Sequence, residues 1–367
     1  MKKSPGDVIY PVSLVALLVL SVVEVELYTV GTELIRIAGR DAWLSILLAA
    51  PFSYFSLYVI VRLAQRFADK TLFEYTPHLW GRHLSYAVIL ILIIFELLWL
   101  LRLLWHSADI NMVYFLPKTP LLVVMLLFMV GAILLAANGL NSLVRFFEFT
   151  FPVFLLFISL VLVLALSNMK ISYLIPVLAD GIWPVLKGSL LYLSMLQGLE
   201  ILLFAIPFTQ NPAKTLAPAL AGLSIIHLIA LFLYSAVLGN LGEAGALNLL
   251  FPGADMLQTL HVPGWPVERF EVLLTLPWLL GVFTSMSLAL YLACFGILQL
   301  IRLKNPVILY WAVGLLVIPA TYLIPNILWA LALELPLRIL TLLVVYLLPL
   351  GSYGLLFLRR RKGSDPA

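Results

Sequence analysis

Charge is what this chain has least of. Of its 367 residues only 11% are Asp, Glu, Lys or Arg, whereas a soluble domain carries roughly 25%. A water-soluble enzyme of this length could not cover its surface with so few polar side chains. Cysteine is nearly absent too. Cys294 stands alone in an apolar run, so no intrachain disulfide can form and the redox compartment is unspecified. The histidines, at 78, 83, 106, 227 and 261, are dispersed and have no metal-ligand spacing. There is no P-loop, no G-x-S-x-G and no H-E-x-x-H, so neither an enzyme nor a cofactor or metal is expected. The formal charge of +4 is a matter of membrane topology rather than of nucleic acid, which is not an expected partner.

What the chain has is apolar surface. Hydrophobic residues make up 63% of it, and the mean hydropathy is +1.10. That is too apolar for a disordered chain. The apolar runs are continuous rather than alternating, which excludes a β-barrel and predicts an all-α polytopic membrane protein. Ten spans are expected in one transmembrane domain, near 8–37, 42–65, 84–115, 120–137, 146–167, 187–208, 215–238, 268–300, 306–324 and 330–358. The first, third and eighth exceed the ~20 residues that cross a bilayer, so they must tilt, kink or project. The first continues well past the length of a cleaved signal and is expected to be retained.

Basic residues choose the orientation. The termini and the loops on their side hold 14 of the 22 Lys and Arg, which places both termini in the cytoplasm. The 239–267 segment has no Lys or Arg and falls outside. The tail Arg359–Lys362 is expected to rest on membrane lipid.

Polar groups inside spans are costly, so they point to function. Glu24 and Glu26 interrupt span 1 beside Val22 and Val23. Two apart, they would diverge by about 200° on a continuous helix, and breaking the helix relieves this. They make either a midplane ligand or proton site or a structural pair, for which Arg102 is the cation. Span 6 places Ser194, Gln197, Gly198 and Glu200 near its middle. Gly198 alone also suits close helix packing. Interrupted segments at matching places in two five-span halves mark a transporter binding site. Span 3 carries Glu96, Trp99, Arg102, Trp105, His106 and Asp109, of which the outer residues suit the membrane interface. Arg102 lies deeper, where it could neutralise a span 1 carboxylate or hold a substrate carboxylate. In span 8, Thr284, Ser285 and Ser287 either bond their own helix or offer oxygens to a cation.

Several stretches, in order, resemble one family. They are Asp41-Ala42-Trp43-Leu44-Ser45, Leu116-Pro117-Lys118-Thr119-Pro120 and Gly139-Leu140-Asn141-Ser142-Leu143-Val144-Arg145. Further along come Ile175-Pro176-Val177-Leu178 with Gly181, Pro184 and Leu186-Lys187-Gly188, then Val267-Glu268-Arg269-Phe270-Glu271 with Trp278. Together they cover most of the chain and resemble the spore germination B-subunit, or spore permease, family of the amino acid–polyamine–organocation superfamily. The resemblance implies a LeuT-like fold, a five-plus-five inverted repeat with helices 1 and 6 broken. It also implies a germinant-receptor subunit in the spore inner membrane that binds a small, amino acid-like nutrient. Its implied partners are an A subunit and a lipoprotein C subunit. One departure is local: the family's first span usually has a Gly break followed by Pro, whereas here Val22-Val23-Glu24-Val25-Glu26 stands there, with no Pro between Pro11 and Pro51. An acidic pair suits an ammonium, a cation or a proton. A proton- or cation-coupled amino-acid transporter is the competing expectation, and a passive conduit a third.

Overall fold

The computed structural model describes residues 8–23, 32–259, 271–301 and 303–361, and it is almost entirely helical. Span 1 is represented by two pieces, α1 (Pro11–Val22) and α2 (Thr32–Ala38). Span 2 is α3 (Ala42–Arg66), and a short helix α4 (Leu72–Trp80) follows. Spans 3, 4 and 5 are α5 (Arg82–Tyr114), α6 (Leu121–Ala137) and α7 (Leu140–Asn168). Span 6 is again two pieces, α8 (Ile182–Leu193) and α9 (Ile201–Ala205). Span 7 is α10 (Leu216–Leu247), and a second short helix α11 (Pro252–Gln258) lies beyond it. Spans 8 and 9 are α12 (Glu271–Leu300) and α13 (Pro306–Tyr322). Span 10 is α14 (Ile327–Thr341), a π-helical stretch over Leu342–Leu347, and α15 (Leu348–Arg361).

Among the described residues, six helical stretches are long and apolar enough to cross a membrane unaided, and α1, α6, α8 and α13 are shorter apolar helices. Exposed leucines and aromatics such as Phe52, Leu127, Phe149 and Leu316 are spread over the outside, as lipid contact requires. The α12 helix runs through the centre against α5, α7 and α6, with Met286, Leu288 and Ala293 fully buried.

Some details lie outside the expected pattern. The short α4 sits in an expected loop; Thr71 and Glu74 form a capping box at its start, with the Thr71 N–H donating to the carboxylate at 2.8 Å. Its Trp80 indole then donates to Ser352 Oγ on α15 at 3.0 Å. Span 7 runs on to Leu247, past its expected end near 238, and bends at Gly242, whose φ of 70° only glycine adopts freely.

The two interrupted spans are joined by main chain. Ile9 N–H donates to Phe208 O at 2.9 Å, and Gln210 N–H donates to Ile9 O at 3.0 Å. The entry to span 1 is thus held beside the exit of span 6.

Candidate functional site

The α1 helix ends at Val22, and the Val23 N–H closes it on Val19 O at 2.9 Å. The last carbonyls of a helix lack intrahelical donors. Ser285 of α12 supplies one, donating to Leu20 O at 2.9 Å.

The span 6 break lies directly against this helix end. Gly198 has φ +100°, and a Cβ on it would stand 2.7 Å from Ser21 O. Only glycine meets both demands at once. The Gly198 N–H donates to both Glu200 oxygens, at 3.1 and 2.9 Å. Gln197 donates to Ser194 O at 3.0 Å and to Thr341 Oγ1 on α14 at 3.1 Å. The Tyr346 hydroxyl donates to Leu193 O at 3.1 Å. The unwound backbone is therefore satisfied by groups from span 10 and from its own carboxylate.

Two cavities flank the break. The first is apolar, about 40 Å³, and lies between Val22, Val23, Tyr192, Leu196 and Ile226, with Met195 in its wall. A buried polar chain stands behind it. Ser53 Oγ donates to Ala50 O at 2.8 Å, so it accepts from His227 Nε2 at 2.7 Å. That leaves Nδ1 to accept from the Tyr192 hydroxyl at 3.0 Å. This chain ties α3, α8 and α10 together at the cavity wall.

The second cavity is charged and larger, about 170 Å³. Arg102 of α5 bonds Glu334 of α14 at 2.7 Å, and His106 Nε2 lies 3.3 Å from the same oxygen. All three are buried. Arg338, one turn along α14, pairs with Glu33 of α2 at 2.6 Å. Arg36 also lines this chamber, and so does Met195.

The comparisons with known proteins fit this geometry. A family model described as "Spore germination protein" matches residues 9–327. The chain belongs to that family. Among its relatives is the spore germination protein YndE of Bacillus subtilis (strain 168), 25% identical over 267 residues, covering 72% of this chain and 73% of the relative. Spore germination protein KB of the same strain is 27% identical over 301 residues, or 80% of each chain. Among solved structures, a Na+-coupled sialic acid symporter matches 94% of this chain and 79% of its own at TM-score 0.64 and 12% identity. MhsT in complex with L-phenylalanine matches 93% and 86% at TM-score 0.63 and 15% identity. This member of the spore germination family therefore has the LeuT-like architecture expected for it, with two inverted five-helix halves and broken helices 1 and 6.

The residues singled out in the sequence separate in space. Val22 and Val23 line the apolar cavity, which is also bounded by the residue next to Ser194. Ser194, Gln197, Gly198 and Glu200 build the break itself and are not among the cavity's lining residues. Glu24 and Glu26 lie outside the described residues. Arg102 bonds Glu334 of span 10, and the span 1 carboxylates expected to face it lie outside the described residues. Trp99, Trp105 and His106 are buried. Thr284 donates to Leu280 O and Gly281 O, and Ser287 to Phe283 O. With Ser285 on Leu20 O, each of the three hydroxyls serves a backbone carbonyl. Among the described residues no cluster of His, Cys, Asp and Glu could hold a metal.

Sequence reasoning passed over Glu33, Glu334 and Arg338. One signal was available: Glu334 and Arg338 sit one turn apart inside an otherwise apolar segment, Leu331-Ala-Leu-Glu-Leu-Pro-Leu-Arg. It also passed over Tyr192 and His227, whose bond no local pattern announces.

Proposed function

We propose that this chain is the B subunit of a spore nutrient-germinant receptor. It binds a small, amino acid-like nutrient in the apolar cavity at the breaks of spans 1 and 6. The carrying observation is the cavity's position: Val22 and Val23, at the end of α1, face Met195 and Leu196 of the unwound segment. A ligand there touches both interrupted helices, so it can favour one arrangement of them over another. A sensor needs that difference in affinity; swinging a 1:99 equilibrium to 99:1 takes a preference of about 10⁴-fold. The change then passes to the A and lipoprotein C subunits. The protein sits in the spore inner membrane with both termini in the cytoplasm.

Glu96 and Glu200 favour a second reading. They are buried near one another, and Glu96 Oε2 has no hydrogen-bond partner among the described residues. Such a carboxylate pair suits a proton- or cation-coupled amino-acid transporter. A nutrient-binding screen on purified protein, followed by flux in proteoliposomes, separates the two. Saturable binding with no flux supports the receptor, and steady uptake by the isolated chain supports the transporter. Glu24→Gln tests the first break: loss of the nutrient response at normal protein levels identifies Glu24 as a ligand or proton site. A fall in protein level identifies it as half of a structural pair.

A further inference from the structure

A groove opens on the outside of the bundle between spans 3 and 10. There α14 packs on α5 and α15 on α4, and between these contacts lies a space of about 340 Å³. Leu84, Val88 and Ile91 of α5 form one wall and Leu343 and Leu347 of the π-helical stretch the other, with Trp80 of α4 at the end nearest the start of α5. Leu84 is 51% exposed and Leu347 60%, so the groove is open to lipid. At ~1.5 Å per residue the Leu84–Ile91 wall spans roughly 10 Å, most of the ~15 Å of hydrocarbon in one leaflet.

The walls and the end of the groove say what fills it. Membrane helices meet through small residues. Apart from Ala87, this groove presents Leu, Ile, Val and Trp side chains, and a Cβ on neighbouring Gly351 would already stand 3.3 Å from the Trp80 ring. A second helix would ride high on such side chains, whereas an acyl chain can lie between them. The end of the groove is basic. Arg82 and His83 open α5 and are exposed, and no carboxylate pairs with Arg82 among the described residues. The α15 helix runs on past Ser352 to Arg361, within the basic run Arg359–Lys362. The α5 helix has no Asp or Glu before Glu96, α15 has none, and Glu74 of α4 is spent in its capping box. A guanidinium beside apolar side chains matches the phosphate and chain of an anionic phospholipid.

The wall at Leu343 and Leu347 has a second face. Gln197 donates to Thr341 and Tyr346 donates to Leu193 O, so the same part of span 10 grips the span 6 break. Ser56 of α3 donates to Val345 O at 2.6 Å. A π-helical winding is rare and is found mostly at functional places. Leu343, Tyr346 and Leu347 lie within about one turn, so rotating the stretch about its axis moves the groove wall and the grip on the break together.

We propose that this groove binds one chain of an anionic phospholipid, with its phosphate at Arg82, and that the bound lipid steadies the span 6 break through the π-helical stretch. An occupied groove holds Leu343 and Leu347 in place and keeps Tyr346 on Leu193 O. An empty groove releases them.

The test uses the full chain in phosphatidylcholine nanodiscs doped with phosphatidylglycerol that carries a diazirine in its acyl chain, against phosphatidylcholine with the same chain. Light expels N2 from the diazirine, and the carbene left behind inserts into a nearby C–H bond. Labelling of peptides holding Leu84–Ile91 and Leu343–Leu348 is expected to be about fivefold heavier from phosphatidylglycerol, the weight of one basic residue near an anionic head group. Arg82→Gln should remove that preference. Leu347→Trp, which fills the groove from an exposed position, should remove the labelling itself. Unlabelled phosphatidylglycerol should also slow amide exchange over Ser194–Ile201 relative to phosphatidylcholine alone. Tyr346→Phe should abolish that difference between lipids and leave the labelling intact.

Equal labelling by the two lipids, or labelling only elsewhere on the bundle, overturns the lipid site. Labelling of the groove with amide exchange unmoved overturns the link to the break. Leu347→Cys with Cys294→Ala probes the other occupant: disulfide-linked dimers would place a second copy of the chain in the groove and overturn the lipid site. No nutrient enters the measurement, so its outcome is independent of the receptor reading.

Discussion

The two cavities beside the broken helices are neighbours of opposite character. One is lined by Val22, Val23, Leu196 and Ile226, and its polar groups are turned away into the Tyr192–His227–Ser53 chain. The other is lined by arginines and glutamates bound across three spans. The contrast shows how a low-charge chain uses its few ions. Five of them, Glu33, Arg36, Arg102, Glu334 and Arg338, gather where spans 1, 3 and 10 meet. The apolar cavity depends on shape, the chamber on charge, and the two should therefore fail in different ways.

The largest effect is expected at Glu334. Removing one partner of a buried ion pair typically costs ~3–5 kcal/mol, so Glu334→Gln should lower the unfolding temperature and the membrane level sharply. Arg102→Leu combined with Glu334→Leu should recover part of the loss, because the two opposite charges are then removed together. A double variant no better than the single one would show that the pair is not the unit of stability. Next comes Gly198→Ala. Its Cβ would meet Ser21 O at 2.7 Å in a left-handed backbone, and roughly 2–4 kcal/mol of destabilisation should follow. Thermal unfolding checks this, and an unchanged midpoint would mean that the two breaks are not in contact.

Smaller effects should isolate the apolar side. Tyr192→Phe removes the donor to His227 Nδ1, at about 1–2 kcal/mol for the imidazole left unmatched. It should weaken binding in the apolar cavity, and unchanged binding would show that the Tyr192–His227 bond does not shape that cavity. Ser285→Ala withdraws the donor from Leu20 O, a change of roughly 0.5–1.5 kcal/mol. It should be visible as a small loss of thermal stability, with faster amide exchange at the end of α1.

The fold was legible because hydrophobic length is a local property. The apolar runs mark the helices, and the polar residues of 194–200 mark the break in span 6. Positions of isolated groups were legible too, since Arg102 and Glu200 are conspicuous in their surroundings. Partnership was not. Arg102 and Glu334 are separated by 232 residues, and several carboxylates in the sequence could equally have answered Arg102. The direction of the span 6 side chains was hidden for a related reason. An unwound segment has no period, so nothing in Ser194–Glu200 says that Met195 and Leu196 face the cavity while Gln197 reaches Thr341. The short helices α4 and α11 escaped because loops of that length are usually irregular, and the Thr71–Glu74 capping box went unread.

The main-chain clasp at Ile9 has a consequence for how such proteins diverge. Its bonds to Phe208 and Gln210 use only backbone N–H and C=O groups, which every residue but proline carries in full. Drift in side chains at these positions leaves the clasp intact, while a proline at 9 or 210 removes a donor from it. Relatives about a quarter identical can therefore keep the ends of spans 1 and 6 in register without keeping any letter of the sequence there. A comparison of sequences alone would pass over the contact that brings the two broken helices together.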